Sequence, residues 1–158
     1  MKLQQRTINL NEATELLTAL SAARNGSAED IAPPLSKLLS WSDLKGIHAA
    51  AERIARAITK SETIAIVGDY DADGATATAV LLMGLRTLGA TVVSVIPSRI
   101  AQGYGLSPSV VEHVRTTGAS LIVTVDNGIV AFAGIEAAQK CGIDVVVTDH
   151  HQIGRAHV

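Results

Sequence analysis

Carboxylates and imidazoles gather at three places in the chain. The stretch VGDYDADGATATA, residues 67–79, sets Asp69, Asp71 and Asp73 at alternate positions. The triplet DNG carries Asp126, and TDHH carries Asp149, His150 and His151. Three negative charges within five residues repel one another, so something must neutralise them. Oxygen and imidazole donors without a thiolate suit hard to borderline divalent cations, Mn²⁺ or Mg²⁺. Taken singly, each residue has a plainer use. Asp73 ahead of GATATA suits a helix cap, Asp126 in DNG suits a turn, and an isolated His is usually structural. Chemistry follows only if the elements around these residues bring them together.

The sequence from Thr63 onward supplies such elements. Four short runs, TIAIV (63–67), TVVSVI (91–96), SLIVTV (120–125) and DVVVT (144–148), are apolar throughout rather than alternating. That pattern marks parallel strands covered on both faces. Helical segments lie between them and end at Gly89, Gly118 and Gly142, as helix C-termini often do. The order β-α-β-α-β-α-β predicts an α/β fold with a doubly wound parallel sheet of four strands. Ligands of such sheets bind at the carboxyl ends of the strands. The residues that follow the four strands are GDYDADG, PSRIAQGYGLS, DNG and DHH. Three of the four strand ends therefore carry metal-competent side chains to one rim, and that convergence predicts a metal site. Gly74 and the small residues after it let the next helix begin close to the loop, where its dipole offsets part of the negative charge.

Residues 1–60 read as an N-terminal helical extension. Asn11 is a candidate cap and Gly26 a candidate stop, while Pro33 and Pro34 interrupt the next segment. The stretch SWSDLKGIHAAAERIARAITKSE predicts one long amphipathic helix, with Leu44, Ile47, Ala51, Ile54 and Ile58 near one face. At 158 residues and 47% hydrophobic composition the chain is long enough to bury a core. A net charge of −2 leaves no overall basic footprint, so nucleic-acid binding must be local to a site. A single cysteine, Cys141, fits a reducing, cytoplasmic setting. The N-terminus lacks the apolar core of a signal peptide, and no apolar run reaches the roughly 18 residues of a membrane span. No membrane association is expected, and nothing in the sequence specifies protein partners.

Three other uses of the first motif fail. An EF-hand loop needs Glu at its twelfth position, where Val80 stands, and a helix rather than a strand before it. A P-loop needs a Gly-rich stretch ending in Lys-Ser/Thr, which is absent. A haloacid-dehalogenase-type phosphatase resembles this chain in placing D-x-D-G-T after its first strand, but it has no use for DHH at a later strand. The full set of motifs resembles the DHH phosphoesterase superfamily: VGDYDADGATATA is similar to its motif I, VTVDNGI to motif II and VVVTDHH to motif III. Within it, IPSRIAQGYGLS and LSWSDLKGIHAAAERI are similar to segments of the single-stranded-DNA exonuclease branch. The resemblance covers about residues 30–152.

The resemblance implies a DHH-type sheet and two divalent cations, Mn²⁺ or Mg²⁺. It makes Asp71, Asp73, Asp126 and His150 direct ligands, with Asp126 bridging both ions and, with His151, serving catalysis. Asp69 and Asp149 would orient those ligands or the motif loop, and His151 would face the scissile phosphate. Arg99, Tyr104 and Asn127 would position substrate. The implied reaction is hydrolysis of single-stranded DNA from 5′ to 3′, releasing mononucleotides, in repair and recombination. The alternatives are another DHH phosphoesterase acting on oligonucleotides or cyclic dinucleotides, and a metal-binding module without catalysis. The family continues past DHH with a further Asp ligand and further domains, which predicts domains 1–60 and 61–152 here and a fourth strand without its neighbour. The last residues, IGRAHV, read like translated adapter sequence, so 153–158 are expected to be an artefactual tail and His157 is not counted as a ligand. A chain so shortened is expected to be a weak or inactive nuclease by itself.

Overall fold

Runs of β-branched residues, each bounded by glycine or polar turns, make strands wherever helices can cover both of their faces. In a computed structural model of the chain four such runs form β1 (Thr63–Val67), β2 (Thr91–Val95), β3 (Leu121–Val125) and β4 (Asp144–Thr148). The structure describes residues 10–23, 25–26, 36, 40–97 and 105–151. Arg99, Tyr104, Pro33, Pro34 and the tail 153–158 lie outside them. All strand pairs are parallel, in the order β2-β1-β3-β4. The chain order reverses between β1 and β3, so these strands flank the crevice in which doubly wound sheets bind ligands.

The helices are α1 (Leu10–Ala23), α2 (Ile47–Thr59), α3 (Ala72–Thr87), α4 (Pro108–Thr116) and α5 (Phe132–Lys140). Alternate strand residues point to opposite faces and build two cores. Ile64, Ile66, Leu121 and Val123 pack with Ala57, Ile54 and Ile58 of α2 and Leu81, Leu82 and Leu85 of α3. Ala65, Val67 and Ile122 pack with Val110, Val111 and Val114 of α4 and Ala138 of α5. Every residue of β3 is buried, whereas β4, paired only with β3 among the described residues, is mostly half-buried or exposed. Gly89, Gly118 and Gly142 follow α3, α4 and α5 with positive φ, as their helix-stop pattern predicts.

The N-terminal region departs from expectation in three ways. Asn11 lies inside α1 rather than capping it, and the helix ends before Asn25, which takes a left-handed φ of 57° ahead of Gly26. The single helix expected across 40–62 is interrupted. Trp41–Asp43 form one 3₁₀ turn capped by Ser40, and α2 begins only after Gly46, whose φ of 76° stops a helical path. Leu44 therefore precedes the helix and is 62% exposed instead of joining its apolar face. Finally, the compact unit holding the sheet begins at Gly46, not after residue 60. The reason is packing: Ala57, Ile54 and Ile58 of α2 belong to the sheet's own core. The other unit, Met1–Lys45, contains α1 and the 3₁₀ turn. Among the described residues no helix is long and apolar enough to cross a membrane.

At the amino ends of the strands a polar network anchors the sheet. Arg53 of α2 donates from Nη2 to Glu62 Oε2 at 2.7 Å and from Nε to Asp144 Oδ2 at 2.6 Å, and Ser120 Oγ donates to Glu62 Oε2 at 3.0 Å. These bonds join the starts of β1, β3 and β4. The hydrogen bond from Arg53 is the main cause that holds the Glu62 carboxyl below its ordinary value of 4.5, against a smaller opposing effect of burial. An acid with a lowered folded pKa stabilises above its unfolded value and loses that contribution as pH falls through the folded one. Glu62→Gln is therefore expected to lower Tm at neutral pH. The gap from the parent should narrow as the pH is taken below 4.5, which thermal melts across an acid series will check.

Candidate metal centre

The three motifs meet at the carboxyl rim because each directly follows a strand of the β1-β3-β4 group. After β1 the chain turns at Gly68, whose N–H bonds Val95 O of β2 at 3.1 Å, and reaches Asp69, only 3% exposed. Asp69 Oδ1 accepts the Tyr70 N–H at 2.7 Å. Asp71, in extended conformation, is the N-cap of α3, its Oδ1 accepting the Gly74 N–H at 2.9 Å. The capping role that the sequence offered to Asp73 thus falls to Asp71, and Asp73 sits in the first turn of the helix. Gly74 is required by closeness: a Cβ there would lie 2.6 Å from the N, O and Cβ of Asp69. That contact seats the positive end of the α3 dipole against the acidic loop.

After β3, Asp126 takes the left-handed conformation, φ 62°, and its N–H bonds Thr148 O at the end of β4 at 3.0 Å. It is 8% exposed. Its Oδ1 is buried without a geometrically formed hydrogen bond, and His150 Nε2 stands 2.8 Å away. Burial above all, and then the negative charge of Asp71, pushes the Asp126 carboxyl up, with His150 opposing. Asp126 belongs to two groups of donors. With Asp69 and Asp71 it forms one, with His150 and His151 the other, and within each group the donor atoms lie within 4.8 Å of one another.

Asp149 clamps the two later motifs together. Its Oδ2 accepts the Ile129 N–H at 2.9 Å, and its Oδ1 accepts the His151 N–H at 3.0 Å and lies 2.7 Å from His151 Nδ1. Burial raises the Asp149 carboxyl, but the bonds from Ile129 and His151 outweigh it and leave the carboxyl below its ordinary value. The same bond raises His151 above the ordinary imidazole range, burial opposing.

The donors fit divalent cations. They are carboxylate oxygens and imidazole nitrogens, they converge, and Asp126, whose buried Oδ1 lacks a hydrogen-bond partner, belongs to both groups. Two placements differ from the sequence reading. Asp69, expected behind the ligands, joins Asp71 and Asp126 directly, and burial of the residue after an apolar strand was its available signal. Asp73 lines the adjoining recess with Thr76, Val80, Asp126 and His150 but enters neither group. Asn127, expected at substrate, is 1% exposed, and its Nδ2 donates to Val67 O at 3.0 Å and Val125 O at 2.9 Å.

Two outcomes are expected. Asp126→Asn removes one of the crowded charges, so the metal-free variant should melt above the parent. The Tm increase that Mn²⁺ gives the parent through binding to the folded state should be largely lost in the variant; differential scanning fluorimetry with and without Mn²⁺ reads both. Gly74→Ala gains at most about 1 kcal/mol of helix propensity. Its Cβ meets backbone that cannot yield, which costs roughly 1–3 kcal/mol. Net destabilisation is expected in a denaturant titration.

Residues 63–158 match the DHH family, N-terminal domain. The single-stranded-DNA-specific exonuclease RecJ of Salmonella typhimurium is 44% identical over 163 residues, 96% of this chain and 28% of that protein. The same-named protein of Bacillus subtilis is 46% identical over 112 residues, 71% of this chain and 14% of that protein. The chain thus spans little more than a quarter, or less, of these curated relatives. Among solved structures, exonuclease RecJ bound to manganese superposes with a TM-score of 0.67 at 39% identity, covering 75% of this chain and 31% of that one. RecJ of Thermus thermophilus in complex with Mn²⁺ gives 0.63 at 35% identity, covering 88% and 19%. These likenesses agree with the parallel α/β fold described above. With the motifs after β1, β3 and β4 all inside the matched span, the chain belongs to the DHH family.

Proposed function

We propose that this chain carries the metal-binding half of a single-stranded-DNA-specific exonuclease that hydrolyses phosphodiesters from 5′ to 3′, releasing mononucleotides, in cytoplasmic DNA repair and recombination. The observation that carries the reading is Asp126, shared between an Asp69–Asp71 group and a His150–His151 group. One carboxylate common to two donor groups is the arrangement that two neighbouring divalent cations need. When bound, two such cations supply positive charge for an anionic phosphate and lower the pKa of an attacking water. Asp69, Asp71 and Asp126 would hold one ion, and Asp126 with His150 the other, with Asp73 adding its charge from the first turn of α3. Asp149 fixes the His151 ring through Nδ1 and favours its protonated form. His151, which in that form cannot bind a cation, would serve as a proton donor beside Asp126 and His150 and stabilise charge that develops on phosphate oxygen. Arg99 and Tyr104, which follow β2 in the sequence, would serve substrate positioning.

The test has two readouts, since the chain spans so little of its relatives. Mn²⁺ binding is measured calorimetrically on the chain itself. Digestion of an end-labelled single strand is measured on a protein of the relatives' length carrying these residues. Binding of Mn²⁺, stepwise mononucleotide release from the 5′ end, loss with chelator and at least about a hundredfold loss in Asp126→Asn are expected. Equal digestion of duplex, or hydrolysis indifferent to chelator, would overturn the proposal.

A further inference from the structure

We propose that Asn127 is a positioning residue that holds the shared carboxylate of Asp126 in place, through its side-chain amide and not through any contact with substrate. The inference rests on the two-cation reading of the site.

Asp126 has an unfavourable backbone. Non-glycine residues seldom adopt φ near 62°, and such conformations persist only where surrounding structure enforces them. Two sets of bonds enforce this one. The Asp126 N–H bonds Thr148 O, which fixes the peptide from the β4 side. The Asn127 amide fixes it from the other. Its Nδ2 donates both protons, one back to Val125 O across Asp126 and one to Val67 O, the last carbonyl of β1. Asp126 is thus bracketed between Val125 and Asn127 by a closed side-chain-to-backbone link, and the link is tied to the neighbouring strand.

The two acceptors also decide the amide's orientation. Only an NH₂ group satisfies two carbonyls, so Nδ2 faces them and Oδ1 faces away. Oδ1 is buried and unpartnered, and a Cβ at Gly105, where the chain enters the turn ahead of α4, would come within 3.2 Å of it. Asn127 therefore touches the ends of β1 and β3 and the approach to α4 while being 1% exposed. Placement between all three at 1% exposure suits a brace better than direct recognition of a bulky anionic strand.

The test uses Asn127→Ala, which deletes both donors, and Asn127→Ser, which keeps one. Circular dichroism first establishes that each is folded at the working temperature. Amide hydrogen exchange is then read without metal. The Asp126 N–H is expected to lose protection at least about tenfold in Asn127→Ala relative to the Val123 N–H in the middle of β3. Equal loss at both sites, or none, would overturn the brace. Mn²⁺ titration of the same proteins should show about ten- to a hundredfold weaker binding in Asn127→Ala and an intermediate value in Asn127→Ser. Unchanged Mn²⁺ affinity with weaker binding of a single strand would return Asn127 to a substrate role and overturn the inference. If the parent itself binds no Mn²⁺, the two-cation reading fails, and the exchange measurement still decides whether Asn127 holds Asp126.

Discussion

Crowding of negative charge at one point governs this structure. Asp69, Asp71 and Asp126 present carboxylate oxygens within 4.8 Å of one another, and two of the three residues are buried. Two full charges about 5 Å apart in a protein setting repel by roughly 3 kcal/mol. The dipole at the start of α3 returns at most about 2 kcal/mol, and a capping bond about 1 kcal/mol. Three carboxylates make three such pairs, whose summed repulsion exceeds those terms, so the rim favours protons or cations. The raised Asp126 carboxyl shows the first of these responses, since burial and the Asp71 charge together disfavour its ionised form.

The rest of the fold serves to keep the acids from moving apart. Two apolar cores clamp β1 and β3, the strands on either side of the topological reversal, from both faces. Among the described residues β4 pairs only with β3 and has little burial. It is held instead at its ends. Asp144 is tied to Arg53 at the base. At the tip Thr148 Oγ1 donates to Thr124 O at 2.6 Å, while Thr148 O accepts from Asp126. Asp149 then reaches across to the Ile129 N–H. Polar bonds thus fix both ends of the strand that leads into the histidines.

What a sequence reveals depends on how local the cause is. The four strands were legible because unbroken Val and Ile runs have few other uses, and the helix stops because glycine alone takes positive φ without strain. Convergence of the three motifs followed from topology, since parallel strands bring their carboxyl ends to one rim. The burial of the Asp69 and Asn127 side chains was not legible from residue types alone. Alternation along GDYDADG places three aspartates on equal terms, and only packing of α3 through Gly74 turns Asp69 inward. Asn127 sits in a turn sequence that ordinarily faces solvent, and its burial depends on β1 lying alongside β3. The start of α2 was missed for a different reason. An apolar period ran unbroken through Gly46, and periodicity does not register one residue's dihedral angle.

Asp71 shows why capping and metal binding are poor rivals as explanations. Read alone, an aspartate before a helix is either a cap or a ligand. Here its Oδ1 accepts one N–H of α3, and the same side chain stands among the Asp69 and Asp126 oxygens. An ionised carboxylate has about four acceptor positions, and one capping bond occupies only one of them. The bond fixes the rotamer, so the remaining lone pairs are aimed before any cation arrives. An uncapped aspartate would have to give up side-chain entropy on binding, which the helix has already removed. On the proposed two-cation reading, capping at this position is therefore part of what would make Asp71 a ligand, and the helix after β1 pre-organises the site as much as it completes the fold.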